Sequence, residues 1–210
     1  MIALVLLLLL AFGPRSGAPA PPGAEADRDA EWVRRAAAGD RQAFDDLYRR
    51  HAGAVHRRLT RLVGPVAERE DLLQQVFLDV FRALPSFRGD AAFSTWLHRV
   101  VVNVAYEHLR AARRRPLVPV APDDLGQVAA PDASPEAVAR AREEVARALG
   151  YLAALKPKKR IAFVLRVVEG LPLDEIARLV GANAPAVGQR VKHAQRELAA
   201  MAARDSRRSA

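Results

Sequence analysis

Cysteine is absent from this chain of 210 residues, and aromatic residues make up only 6% of it. The lack of cysteine excludes disulfides, zinc–thiolate sites and a cysteine nucleophile, but it does not identify the compartment, because cysteine-free proteins occur on both sides of a membrane. A low aromatic content disfavours β-rich folds, whereas the abundant alanine, leucine and arginine favour helices. Half of the residues are hydrophobic, which is enough for a packed core. We therefore predict an all-α fold.

The chain has fewer acidic than basic residues. The chain has 24 acidic residues against 33 lysines and arginines, for a formal charge of +9 and a pI near 10.8. A basic surface gains affinity for nucleic acid by releasing counterions from phosphates. An arginine-rich composition also follows from a GC-rich genome, so charge alone favours a nucleic-acid partner only modestly.

The sequence also lacks a recognisable catalytic or metal-binding set. Its histidines, His51, His56, His98, His108 and His193, show none of the spacings that place metal ligands on one helix face. No acid, base and nucleophile converge in the pattern. We expect no catalytic residue, no metal, no cofactor and no small-molecule substrate.

A long hydrophobic run is missing too. The apolar stretch from Ile2 to Phe12 is too short to span a bilayer, which needs about 20 residues. It has the length of a signal-peptide core, yet no lysine or arginine precedes it. Residues 1–26 are therefore open to three interpretations: a secretory signal, a short membrane-associating tail, or non-native sequence from an upstream start codon.

Helical periodicity and breaks divide the rest of the chain into two small helical domains joined by a flexible linker. The first block covers residues 29–115 and is broken at Gly39-Asp40 and at Gly64-Pro65, with Asp40 placed to cap a helix. Residues 116–134 have the composition of a linker. The second block covers residues 135–203, begins with a Ser134 cap and reads as four helices. A basic tail, 204–210, follows.

Two helices of the first block have clear apolar faces. Along residues 68–84 the positions predicted to point inward are Leu72, Leu73, Val76, Phe77, Val80, Phe81 and Leu84. Along the next helix they are Trp96, Leu97, Val100, Val101, Val104 and Leu109. Next to the apolar face of this second helix lies a row of polar and aromatic residues, with successive members four, three, four and three positions apart. The row consists of Arg99, Asn103, Tyr106, Arg110 and Arg113. Such a row suits single-stranded DNA, although solvated arginines and a semi-buried tyrosine would look the same.

The second block contains a helix-turn-helix pattern, in which a short helix ends at Gly181 and a longer one follows Asn183. Val187 and Val191 are placed to hold the second helix against the first. The opposite face carries Gln189, Lys192, His193 and Arg196. Amide and cationic donors suit base edges in the major groove and the flanking phosphates, but a helical hairpin with a solvated face gives a similar pattern.

Together these motifs resemble the extracytoplasmic-function sigma factors of bacterial RNA polymerase. The segment from Asp71 to Leu84 is similar to the family's region 2.2, and the run Phe87-Arg88-Gly89-Asp90 to Trp96-Leu97 is similar to its characteristic loop and helix start. Arg99, Val102, Asn103 and Ala105 continue the match. The segment from Phe163 to Leu171, followed by Asp174-Glu175-Ile176-Ala177, is similar to region 4. The resemblance covers about residues 29–201.

The resemblance implies three groups of site residues. Region 2.2 of the family docks on the coiled coil of the polymerase β′ subunit, which implies contacts from Asp71, Gln74, Gln75, Phe77, Asp79 and Arg82. The −10 element would be held by Phe87, Arg88, Asp90, Arg99, Asn103, Tyr106, Arg110 and Arg113, with Phe87 and Asn103 at the family's base-pocket positions. The −35 element would be read by Gln189, Arg190, Lys192, His193 and Arg196.

Some positions depart from the family pattern. The family usually has Gln-Glu where this chain has Gln74-Gln75, which removes one acidic contact to polymerase. Gly188 replaces a usual cation of the recognition helix, and Pro172-Leu173 replaces the more common Ser-Tyr. The −35 sequence read by this chain is therefore open.

The linker is long enough for the two blocks to bind two promoter elements at the same time. Promoter elements about 17 base pairs apart are separated by roughly 55–60 Å at ~3.4 Å per pair, and about 19 extended residues reach roughly 60–65 Å at ~3.3 Å each. In the family, acidic linkers follow the RNA exit path. Asp123 and Asp124 either do the same or belong to a solvated loop.

The expected partners are core RNA polymerase, through its β′ and β subunits, promoter DNA and an anti-sigma factor, and the expected compartment is the cytoplasm. Two other functions remain open at this stage. One is a helix-turn-helix DNA-binding regulator that does not act as a sigma subunit. The other is a secreted or membrane-tethered helical protein, which only the leader suggests.

Overall fold

A computed structural model describes residues 24–64, 66–113 and 134–208. The regular elements in these ranges are helical, which confirms the all-α fold class. Most of the predicted leader, nearly all of the predicted linker with Asp123 and Asp124, and residues 209–210 lie outside the described residues. No helix in the described part of the chain combines the length and the apolar character that crossing a membrane requires.

Within residues 24–64 and 66–113 the first block has four α-helices: α1 (Ala24–Ala37), α2 (Arg41–Val63), α3 (Arg69–Ala83) and α4 (Phe93–Ala112), with a 3₁₀ turn at Leu84–Ser86. Asp40 caps α2 as expected, because its Oδ1 accepts a hydrogen bond from the Ala43 amide at 3.2 Å. Gly64 ends α2 with φ of 82°, a left-handed value that favours glycine. Helix α1 begins within the segment interpreted as leader.

The second block also has the four helices expected: α5 (Pro135–Ala154), α6 (Pro157–Phe163), α7 (Leu173–Val180) and α8 (Ala184–Arg208). A π-helical turn, Val164–Val168, extends α6. Ser134 caps α5 by accepting from the Ala137 amide, Gly181 ends α7 in the left-handed conformation, and Asn183 caps α8 by accepting from the Ala186 amide at 2.8 Å. Helix α8 continues through most of the predicted basic tail.

Both blocks contribute to the buried apolar interior. Leu59, Leu62, Val76 and Val101 are at most 1% exposed in the first block, and Leu152, Phe163, Ile176 and Leu198 are fully buried in the second. The predicted inward face of α3 is confirmed at Leu72, Leu73, Val76, Phe77 and Val80. The prediction was wrong at Phe81, which is 54% exposed, because its ring sits at the edge of the first block against Phe44.

The two blocks also pack against each other. Helix α4 contacts α6 and α7, and α2 contacts the π-helical turn. This second neighbour explains why α4 buries His98, Val102 and Ala105 in addition to its predicted apolar face. Arg160 crosses the boundary, where its Nε donates to the Leu62 carbonyl at 2.9 Å, and burial lowers the pKa of its guanidinium to about 10.

Candidate nucleic-acid interface

The predicted row on α4 lies on the molecular surface. Arg99, Asn103, Arg110 and Arg113 are exposed and Tyr106 is half-buried. The helix is fixed from below by the buried side chains of Leu97, Val101 and Val104, and this packing leaves the row facing outward. Arg110 forms an ion pair with Glu107 at 2.7 Å between its Nη2 and Oε2. These five residues, called the α4 stripe below, offer cations, one amide and one aromatic ring.

The loop before α4 supplies an aromatic wall. Phe87 is half-buried, with its ring centroid 5.1 Å from Trp96 and 6.2 Å from Phe93. Arg88 and Asp90 are exposed on either side of Gly89, whose φ of 77° turns the chain there. Phe87 is therefore fixed by packing while its charged neighbours remain accessible.

The recognition face of α8 also matches the sequence pattern. Val187, Val191, Ala194 and Leu198 are buried against the rest of the second block. Gln189, Lys192, His193 and Arg196 are exposed, and Arg190 is half-buried. A Cβ added at Gly188 would lie 3.6 Å from Leu173 Cδ1. Position 188 therefore lies against α7, so the exposed neighbours form the accessible face.

The structure brings the two candidate DNA surfaces to one cavity of about 640 Å³. Tyr106, Arg110 and Arg113 line it from the first block, and Arg190 lines it from the recognition helix. The remaining lining comes from the start of α6, with Lys156, Pro157, Lys158 and Lys159. Sequence reasoning did not assign these lysines to a site, although the charge run from Lys156 to Arg160 was visible.

A separate polar face lies on α3. Asp71, Gln74, Gln75 and Arg82 are exposed and Asp79 is half-buried. Gln75 donates to Asp79 Oδ1 at 2.8 Å, and Arg82 lies 3.8 Å from the same oxygen. Phe77 does not join this face, because it is 4% exposed and its ring packs in the core against Tyr48.

Sequence reasoning missed an apolar patch that continues the α3 face. Tyr48, Leu78 and Phe81 are 38%, 48% and 54% exposed. Leu78 follows Gln74 by four residues and Phe81 follows it by seven, so the patch and the polar face share one side of the helix. The spacing was a usable signal, but Phe81 had been assigned to the interior. Exposed apolar patches on soluble proteins commonly mark binding sites.

Within the residues that the structure describes, no three His, Asp or Glu side chains converge in a way that could hold a metal ion. The chemistry available on the described surfaces consists of phosphate-binding cations, hydrogen-bonding amides and aromatic or apolar contact faces.

Comparisons with known proteins match both blocks. The family model "Sigma-70 region 2" matches residues 47–115 and "Sigma-70, region 4" matches residues 146–198. The chain is 37% identical to the ECF RNA polymerase sigma factor SigM of Mycobacterium tuberculosis over 81% of this chain and 83% of that protein. It is 33% identical to the RNA polymerase sigma-H factor of Pseudomonas aeruginosa over 80% of this chain and 91% of that protein.

A solved structure of CnrH in complex with the cytosolic domain of CnrY is also similar. Its TM-score is 0.59 at 26% identity, covering 85% of this chain and 99% of that one. The likeness therefore extends over both blocks.

Proposed function

The chain belongs to the extracytoplasmic-function group of the sigma-70 family, and on this premise we propose which of its surfaces carries each step of transcription initiation. As a sigma factor it acts in promoter recognition and transcription initiation. The observation that carries the assignment is the exposed α4 stripe beside the packed Phe87.

The α4 stripe and the Phe87 loop capture the melted −10 element. Arg99, Arg110 and Arg113 contact phosphates, and Tyr106 offers a stacking surface to an unpaired base. Asn103 offers a donor and an acceptor to a base edge. Extruding a base costs only a few kcal/mol, which such contacts can offset without any chemical step. The chain thus needs no catalytic group of its own.

The recognition helix α8 reads the −35 element as duplex DNA. Gln189 and Arg196 are exposed donors on the accessible face, flanked by Lys192 and His193. Because Gly188 lies against Leu173, sequence discrimination falls to these neighbours, with Arg190 beside them.

Core polymerase binds the side of the first block formed by α2 and α3. The polar residues Asp71, Gln74, Gln75, Asp79 and Arg82 lie along α3 beside the patch of Tyr48, Leu78 and Phe81. Protein interfaces usually combine apolar and polar residues in this way. Phe77 supports this surface from beneath and does not contact the partner directly.

The compartment and a further protein partner are part of the same proposal. A chain that works on promoter DNA and polymerase acts in the cytoplasm. The similar solved structure contains CnrH together with the cytosolic domain of CnrY, which supports an inhibitory anti-sigma partner for this chain as well.

The test is run-off transcription with bacterial core polymerase and a randomised promoter library. We expect specific transcripts from the wild-type chain and a loss of about fivefold to 150-fold with Asn103→Ala, because one base contact is worth about 1–3 kcal/mol. Gln42→Ala removes an exposed amide from α2 and serves as the matched control. Equal transcription by Asn103→Ala and the control would remove Asn103 from the proposed site. A complete absence of transcripts from the folded wild-type chain would contradict the role assignment as a whole.

A further inference from the structure

A buried carboxylate joins the two blocks. The Glu169 side chain, at the end of the π-helical turn, is 4% exposed. Arg58 of α2 donates through its Nε to Glu169 Oε2 at 3.1 Å and to Oε1 at 3.3 Å. Arg61 Nη1 lies 4.0 Å from Oε1, and His98 Nε2 of α4 lies 3.8 Å from Oε2. One carboxylate of the second block thus contacts two helices of the first.

A second contact crosses the same boundary. Arg160 is 5% exposed, donates to the Leu62 carbonyl and lies over Gly64 at the end of α2. Both crossing points place a charged group of the second block against the C-terminal half of α2. Together with the packing of α4 on α6 and α7, they fix the second block beside the α4 stripe.

This arrangement conflicts with simultaneous reading of two promoter elements. Arg190 of the recognition helix and Arg110 of the α4 stripe line one cavity of about 640 Å³, and are therefore close neighbours. The −10 and −35 elements are separated by about 17 base pairs, roughly 55–60 Å. The recognition helix cannot reach one element while it shares a cavity with the residues that bind the other.

We propose that this is a closed arrangement, locked through Glu169, that cannot hold both promoter elements at once, and that capture of a whole promoter requires the second block to swing away from α2 and α4. The DNA part of this proposal rests on the proposed function, whereas the lock itself rests on the contacts alone.

The Glu169 and Arg160 contacts of the lock are polar, which favours their reversal. In the open form Arg58, Arg61, Arg160 and Glu169 would all regain water, and this return of solvation offsets most of the ion-pair energy lost on opening. The cavity also brings cations from both blocks together, so their repulsion opposes closure. A nucleic acid whose phosphates bind these cations therefore favours the open form.

Glu169→Gln is the most informative substitution, because it keeps the shape of the side chain and removes the charge that Arg58 and Arg61 share. Breaking a buried ion pair from one side leaves the partner charges uncompensated. We expect the ratio of open to closed molecules to rise by at least about tenfold. Glu144→Gln, at an exposed position of α5, makes the same change in net charge and is the matched control.

The opening can be measured on the full chain because it contains no cysteine. Ala54→Cys on α2 and Ala200→Cys on α8 place two spin labels at exposed positions of opposite blocks. Pulsed electron paramagnetic resonance should give one narrow distance distribution for the doubly labelled parent and for Glu144→Gln. Glu169→Gln should add a broad population at longer distance. Unchanged distances in Glu169→Gln, or a broad distribution in the parent, would overturn the lock.

The functional consequence is measured with a fluorescein-labelled single-stranded oligonucleotide of mixed sequence. We expect Glu169→Gln to bind it severalfold more tightly than Glu144→Gln does. Opening without any gain in affinity would overturn the inhibitory role of the closed form. Run-off transcription by the wild-type chain separates the two proposals. Its failure would contradict the proposed DNA-binding and polymerase-binding surfaces, whereas the lock through Glu169 is tested by the distance measurement alone.

Discussion

Gly64 is constrained from two directions, by its own backbone and by the second block. Its φ is 82°, and a Cβ added there would lie 3.3 Å from the Nη2 of Arg160. We expect Gly64→Ala to lower the free energy of unfolding by about 1–2 kcal/mol, because alanine is strained at positive φ and the guanidinium of Arg160 must also shift. Urea denaturation measures the change.

Gly53→Ala is the matched control for that substitution. Gly53 lies within α2, is exposed, and its added Cβ would meet only the flexible end of Arg57 at 3.4 Å. We expect a gain of about 0.5–1 kcal/mol, as for glycine to alanine within a helix. A loss at Gly53 as large as that at Gly64 would show that the effect does not come from positive φ.

Single residues with a local role could be predicted from the sequence. Asp40, Ser134 and Asn183 cap helices where their side chains and neighbours indicated, because a cap depends on a few adjacent residues. Glu169 and Arg160 could not be assigned in this way. Their partners, Arg58 and Leu62, lie in the other block, and no local pattern identifies a contact of that range.

At the scale of the element, α3 has two functional sides. Its buried side includes Val80, which is 0% exposed, and its outer side includes Phe81 at 54%. We expect Phe81→Ser to weaken binding to core polymerase by about tenfold or more while leaving the melting temperature nearly unchanged, because central apolar residues carry most interface energy. Fluorescence anisotropy with core enzyme and a thermal melt measure the two quantities.

Val80→Ala is the opposite case on the same helix. It removes buried methyl groups and should lower the free energy of unfolding by about 1–3 kcal/mol, with little direct effect on affinity in the fraction that stays folded. Undiminished polymerase binding by Phe81→Ser would place the docking surface elsewhere.

Helical periodicity predicted the helices and their apolar faces well, but it did not predict which segments pack against those faces. The inward faces of α3 and α8 follow from spacing, since each packs mainly on one side. Helix α4 buries Val102 and Ala105 as well, because a second block covers it. Periodicity reports how many sides of a helix are apolar, but it does not report which segment covers each one.

At the scale of the whole molecule, His98 couples the packing of the blocks to pH. Burial, with a smaller contribution from Arg58, lowers the pKa of His98 to about 3, while Glu169 faces the same ring. A solvated histidine has a pKa near 6.5. As pH falls below about 6.5, the unfolded or opened chain takes up a proton that the packed form does not accept. Stability is therefore lost progressively from that pH downward, by about 2 kcal/mol at pH near 5.

Chemical denaturation at pH near 7 and near 5 tests this coupling. His98→Leu removes the titrating group and should lose about 2 kcal/mol less than the wild-type chain between the two values. His193→Leu, at an exposed position of α8, should follow the wild-type profile. An equal loss in His98→Leu and the wild-type chain would contradict a role for His98.

Sequence motifs were sufficient to identify the two blocks and their order, because the Phe87–Leu97 run and the helix-turn-helix are each continuous in the chain. The mutual packing of the blocks could not be derived from them. It depends on long-range contacts, the polar ones of Glu169 and Arg160 and the packing of α4 on α6 and α7, and the same motifs are equally compatible with two separate domains.

The cavity shared by Arg110 and Arg190 makes the two DNA surfaces thermodynamically linked. DNA that occupies the cavity-lining residues of either surface draws molecules out of the closed form, and each opened molecule frees the cavity-lining residues of the other surface. By reciprocity, a −35 duplex should raise the affinity for a −10 strand by the same factor as the strand raises the affinity for the duplex. A promoter carrying both elements would then be bound cooperatively, and an isolated half-site would be disfavoured by the cost of opening.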